Sequence, residues 1–105
     1  MPDTSPRGTR IAHLGIAVES IAALLPFYRD VLGLLEVPLA DSDGARIAGL
    51  AAGDSLVELL EADSPNSPTG KFVARRGPGL HHVCFAVDDL DAAVERCRRV
   101  GEFHR

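Results

Sequence analysis

The stretch Ile11-Ala12-His13-Leu14-Gly15-Ile16-Ala17-Val18, followed by Ser20 and Ile21, returns 69 positions later as Leu80-His81-His82-Val83-Cys84-Phe85-Ala86-Val87, followed by Asp89 and Leu90. In this single register His13 falls on His82, Ala17 on Ala86, Val18 on Val87 and Ala23 on Ala92, while Ile16 answers Phe85 and Ser20 answers Asp89. One such match means little, but here strand pattern, cap and helix face coincide. Leu14, Ile16 and Val18 alternate, which predicts a strand with one strongly apolar face. Ser20 can cap a helix with apolar positions Ile21, Leu24, Leu25, Tyr28, Val31 and Leu32, stopped at Gly33. Pro26 costs on the order of 3 kcal/mol in a helix interior, so a kink, or a helix that properly begins near Pro26, is expected. A period this long is beyond solenoid repeats and predicts a duplicated module packed against its copy.

Outward from the repeat, three strands are expected over residues 34–39, 45–50 and 55–61. Asp41-Ser42-Asp43-Gly44 and Gly53-Asp54 separate them as turns. Ser64-Pro65-Asn66-Ser67-Pro68 leads into a short helix over 68–76, closed by Gly77-Pro78-Gly79. A strand over 80–87 enters a second helix capped by Asp89, with Leu90, Ala93, Val94, Cys97 and Val100 on its apolar face and Gly101 just past its end. The pattern is α+β: a short mobile tail over 1–10, a complete βαβββ module over 11–61, a linker with a short helix over 62–79, and an incomplete second module over 80–105.

At 105 residues the chain is one domain at most. Apolar residues make up 46% and charged residues 25%, which excludes a disordered or fibrous chain. A net charge of −4 offers no basic surface for nucleic acid. No uncharged apolar run reaches the roughly 18 residues of a membrane helix, so no membrane partner is expected. Two cysteines make no disulfide framework, and no secretory signal is seen in the sequence, so the cytoplasm is the expected compartment.

His13 and His82 stand out because the repeat gives them equivalent places on equivalent strands. A pseudo-two-fold axis brings such positions together across a curved sheet, and neutral imidazole is a good ligand for divalent transition metals. Taken singly, each is as easily a hydrogen-bonded core or surface histidine. Glu58 interrupts the apolar run Leu56-Val57-Glu58-Leu59-Leu60. A buried carboxylate is costly unless it is paired or on a metal, although the strand can equally face solvent there, as Glu61 is expected to. Cys84 shares a strand face with His82 but is expected to be a small buried thiol, and Cys97 a core residue. Alternation sends His81 away from His82, which assigns it a structural role, and His104 says little. Lys71, Arg75 and Arg76 suit an acidic ligand, but a solvated helix face is the simpler expectation. No G-x-x-x-x-G-K-[ST], G-x-G-x-x-G, G-x-S-x-G or C-x-x-C occurs, so phosphate loops, serine hydrolases and zinc ribbons have no support.

His13-Leu-Gly-Ile-Ala-Val together with Phe27-Tyr28-Arg29-Asp30-Val31-Leu32-Gly33-Leu34 resembles the opening module of the vicinal oxygen chelate superfamily, the glyoxalase-like metalloenzymes. Narrower signals are Val57-Glu58-Leu59-Leu60-Glu61, Ser64-Pro65-Asn66-Ser67-Pro68, Lys71-Phe72 and Arg76-Gly77-Pro78-Gly79-Leu80-His81-His82. They resemble the methylmalonyl-CoA epimerase family within it, and the likeness covers nearly all of 11–101.

The resemblance implies paired βαβββ modules forming a cup around a divalent metal, commonly cobalt or manganese. It places ligands on His13, Glu58 and His82, the second His of the pair. It further implies an acyl-CoA substrate and inversion of the carbon between thioester and carboxylate, with one group removing the α-proton and another returning it. A carboxylate on the third strand serves in relatives, but Ala45-Arg46-Ile47-Ala48 offers none, so no catalytic residue is named. The fourth ligand of the family, a Glu, falls by the repeat about 22 residues beyond Arg105. The chain is therefore expected to be truncated, with little or no epimerase turnover alone, and to associate as at least a homodimer through the uncovered strand over 80–87. Alternatives of the same fold are another glyoxalase-type lyase or isomerase, or a non-catalytic metal- or ligand-binding module.

Overall fold

The computed structural model describes residues 8–42 and 44–101. Most of the expected tail, Asp43 of the first turn, and His104 lie outside them. The chain divides into two compact units, one of residues 11–84 and one that holds, among the described residues, 8–10 and 85–101.

Apart from Arg10 and the last two residues of β5, the larger unit holds β1 (Arg10–Val18), α1 (Ile21–Pro26), β2 (Leu35–Val37), β3 (Ala45–Ala52), β4 (Ser55–Ala62), α2 (Pro68–Arg76) and β5 (Gly79–Ala86). The first five of these are the βαβββ module that the pattern predicts. The strands form one sheet in the order β2-β3-β4-β1-β5. β1 and β4 run parallel, as a strand–helix–strand crossover requires, and β2-β3-β4 is an antiparallel meander. Gly53 and Asp54 form a two-residue hairpin with Gly53 at φ 61°, so β3 runs right up to the turn, past its expected end at Leu50. β2 is shorter than expected because Pro38 has no N–H to continue the ladder.

Register sorts the sheet into two faces. Ile16 lies beside Leu59, and Leu59 beside Ala48, on the face covered by α1. There Val18, Leu50 and Leu59 are fully buried, packed by Ile21, Leu25, Tyr28 and Leu34. The opposite face carries rows from the same strands: Gly15, Glu58 and Gly49 in one, Ala17, Leu60 and Ile47 in the next.

Ser20 caps α1 as expected, its hydroxyl accepting the Ala23 N–H at 3.1 Å. Pro26 produces neither a simple kink nor a new start. α1 ends on it and the chain continues as a π-helical turn over Phe27–Val31, closed by the Leu32 N–H on the Phe27 carbonyl at 3.0 Å. A π turn holds one extra residue, which rotates the later side chains about the helix axis by about 100°. Tyr28 keeps its place on the core, but Val31 and Leu32, expected on the apolar face, turn out and are 71% and 53% exposed.

In the smaller unit Asp89 caps α3 (Leu90–Val100) through the Ala92 N–H at 3.0 Å, and Gly101 at φ 68° ends it. The expected apolar face is present but not buried, with Leu90 and Val100 68% and 65% exposed. One helix and a strand end offer too little surface to cover it.

Candidate metal centre

Three neighbouring strands each contribute one side chain to the site: His13 from β1 and Glu58 from β4, on the face of the sheet opposite α1, and His82 from β5. Each offers a donor atom, and the three atoms lie within 4.8 Å of one another. It is the one such cluster of His, Cys, Asp and Glu among the described residues. Nε2 of His13 and Nε2 of His82 are 3.0 Å apart with the rings edge to face, and Nδ1 of His13 is 3.6 Å from Glu58.

Glycine makes the room. Gly15 is two residues from His13 and beside Glu58, and the space its missing side chain leaves is filled by the His82 ring. On the other side of Glu58, Gly49 lets Leu39 close over the strand. Mid-strand glycine often marks such a close approach, so Gly15 and Gly49 are the sequence signal for a crowded site around Glu58. His82 is held below the ordinary histidine value by burial first, then by its neighbours His13 and His81, with Glu58 opposing. That favours neutral imidazole, the form that ligates.

The donor set fits a divalent transition ion. Two nitrogens bound at about 2.1 Å and at right angles stand about 3.0 Å apart, which is the separation of the two Nε2 atoms. Imidazole suits such ions and a carboxylate lowers the net charge of the site. Next to the cluster is a cavity of about 380 Å³. Ala45, Ile47, Leu60 and Pro68 give it apolar walls, and Ser42, Thr69, Glu58, His81 and His82 are its polar lining.

Several side chains stand elsewhere than expected. His81 does not point away from His82: the two Nδ1 atoms are 2.9 Å apart, and His81 lines the same cavity. Phe72 of α2 packs edge to face on the His81 ring, with ring centroids 4.7 Å apart, and the ring stays beside His82. Glu61 does not face solvent. It lies on the helix-covered face, accepts the Ile21 N–H at 2.7 Å and pairs with Arg46 across the strands. Cys84 and Cys97 are half-buried rather than buried, and neither joins the cluster. Lys71, Arg75 and Arg76 are exposed, as a solvated helix face requires.

The glyoxalase/bleomycin resistance protein/dioxygenase superfamily model matches residues 12–102. Mouse mitochondrial methylmalonyl-CoA epimerase is 36% identical over 88 residues, covering 81% of this chain and 49% of that protein. The ethylmalonyl-CoA/methylmalonyl-CoA epimerase of Cereibacter sphaeroides is 30% identical, covering 88% of this chain and 71% of its own. The chain thus spans about half the length of the mouse relative. A solved structure of a Streptomyces coelicolor methylmalonyl-CoA epimerase variant, in complex with 2-nitronate-propionyl-CoA, superposes with a TM-score of 0.78 at 34% identity. That superposition covers 90% of this chain and 71% of the other. With a matching model along almost its whole length and the fold to go with it, the chain belongs to the glyoxalase-like, vicinal oxygen chelate superfamily.

Proposed function

We propose that this chain acts in the metal-dependent epimerisation of methylmalonyl-CoA, with His13, Glu58 and His82 as protein ligands of the ion. The observation that carries this is the convergence of two imidazoles and one carboxylate beside a partly apolar cavity. Relatives and structural neighbours named methylmalonyl-CoA epimerase supply the substrate class.

A divalent ion held there, cobalt or manganese by family likeness, supplies electrophilic stabilisation of negative charge developing on the thioester oxygen, worth several kcal/mol. The chain's own residues prepare that. Burial first, then its histidine neighbours, shift His82 towards neutral imidazole, the form whose lone pair can ligate. Glu58, with glycine on both flanking strands, reaches the cluster without competing side chains. Ala45, Ile47 and Leu60 present an apolar wall suited to the methyl-bearing carbon skeleton and help exclude water, which strengthens charge interactions inside.

The test is deuterium incorporation at C2 of methylmalonyl-CoA in heavy water, followed by mass spectrometry. Exchange should require added Co²⁺ or Mn²⁺ and disappear in His82→Ala. Exchange that is indifferent to the ion and to His82 would overturn the assignment. Isomerisation of a glutathione hemithioacetal, with no exchange into methylmalonyl-CoA, would point instead to a glyoxalase-type reaction.

A further inference from the structure

We propose that His81 is a positioning residue: it accepts a hydrogen bond from Nδ1–H of His82 and so fixes the tautomer in which Nε2 of His82 carries the bare lone pair. This rests on His82 being a metal ligand through Nε2. A neutral imidazole has one N–H and one lone pair, so choosing where the proton sits chooses which nitrogen can ligate. Both nitrogens of His82 are engaged. Nε2 faces Nε2 of His13 at 3.0 Å, and Nδ1 faces Nδ1 of His81 at 2.9 Å. With Nε2 committed to the cluster, the proton belongs on Nδ1, and Nδ1 of His81 is the acceptor within hydrogen-bond distance.

The opposite arrangement disarms the site. If Nδ1 of His81 were the donor, the His82 proton would move to Nε2, the atom that faces the cluster. His81 therefore works only as the Nε2–H tautomer, and its surroundings hold the ring in one place. Phe72 packs on it edge to face with ring centres 4.7 Å apart. Phe72 is carried by α2, whose first turn is tied down by the buried Ser67. Metal-bound histidines usually give their second N–H to a carboxylate or a carbonyl, and losing that partner typically weakens metal binding about 10–100-fold. Here an imidazole from the adjacent residue fills the role.

The test uses two substitutions and two readouts. His81→Asn puts an amide oxygen near the position of Nδ1 and keeps an acceptor, whereas His81→Phe keeps an aromatic ring against Phe72 without one. Long-range ¹⁵N–¹H correlation on histidine-labelled protein reads the tautomer of His82, and Co²⁺ titration followed by visible absorption reads affinity. In the unsubstituted protein, with or without Zn²⁺, His82 should be protonated at Nδ1. Co²⁺ affinity should fall about 10–100-fold in His81→Phe and recover to within a few-fold in His81→Asn. Protonation of His82 at Nε2, or unchanged affinity in His81→Phe, would overturn the proposal. Failure of the unsubstituted protein to take up any ion would sink the metal-centre assignment instead, and the tautomer of His82 in the same spectra would then judge His81 by itself.

Discussion

At the scale of single residues, the site depends as much on an absent side chain as on its donors. Gly15 sits where a methyl group would collide with the His82 ring, and its φ is not of the kind reserved for glycine. Gly15→Ala therefore suits the backbone and the strand, yet must push the imidazole out of the cluster. We expect this variant to fold, with unchanged far-ultraviolet circular dichroism, and to bind Co²⁺ about 10–100-fold more weakly by titration. Equal affinity would mean that His82 has another place to stand. The repeat makes His13 and His82 legible in the sequence, and Glu58 is legible as an acidic interruption of an apolar strand. His81 is not legible there, because its place beside His82 comes with packing on Phe72 of α2, a tertiary contact that the strand pattern does not contain. Glu61 is hidden for a different reason. It stands three positions after Glu58, which puts it on the other face, where it meets the Ile21 N–H and Arg46 rather than water.

Among the elements, caps are the easiest to read and helix register the hardest. Ser20, Ser67, Asp89, Gly77 and Gly101 all do at helix ends what their chemistry predicts. The π turn after Pro26 stays hidden, since an apolar pattern with a 3–4 spacing looks the same until one extra residue is inserted. Ser67 gives the sharpest test at this scale. Its hydroxyl accepts the Gly70 N–H at 3.1 Å and donates to the Ser64 carbonyl at 2.8 Å, and the residue is only 8% exposed. Gly70 packs directly on the Ser64 and Pro65 backbone, so α2 and its leading turn form one tight unit. Ser67→Ala removes a cap and leaves a carbonyl without its hydroxyl donor, a loss of about 1–2 kcal/mol. Urea unfolding should show that drop with an unchanged m value. A change below about 0.3 kcal/mol would mean that water replaces the hydroxyl without loss, below the ordinary range for a cap.

On the scale of the whole molecule, the repeat explains why the donors come from where they do. Strands equivalent by sequence, β1 and β5, are neighbours in the sheet, and the repeat-related histidines His13 and His82 meet across them. β4 lies on the far side of β1 and brings Glu58 level with Gly15. An ion held by all three would cross-link strands that are far apart in sequence, so its binding energy becomes stability of the fold. At free ion 100-fold above Kd, ligand linkage adds about 2.7 kcal/mol. Thermal unfolding should therefore shift upward with Co²⁺ and return to its starting value with a chelator. The same shift should vanish in His13→Ala and in His82→Ala, and the double variant should lose nothing further, since a site that needs both imidazoles is already lost with one. If each single variant kept half of the shift, the two histidines would be binding separate ions on the surface, and the shared centre between β1 and β5 would have to be abandoned.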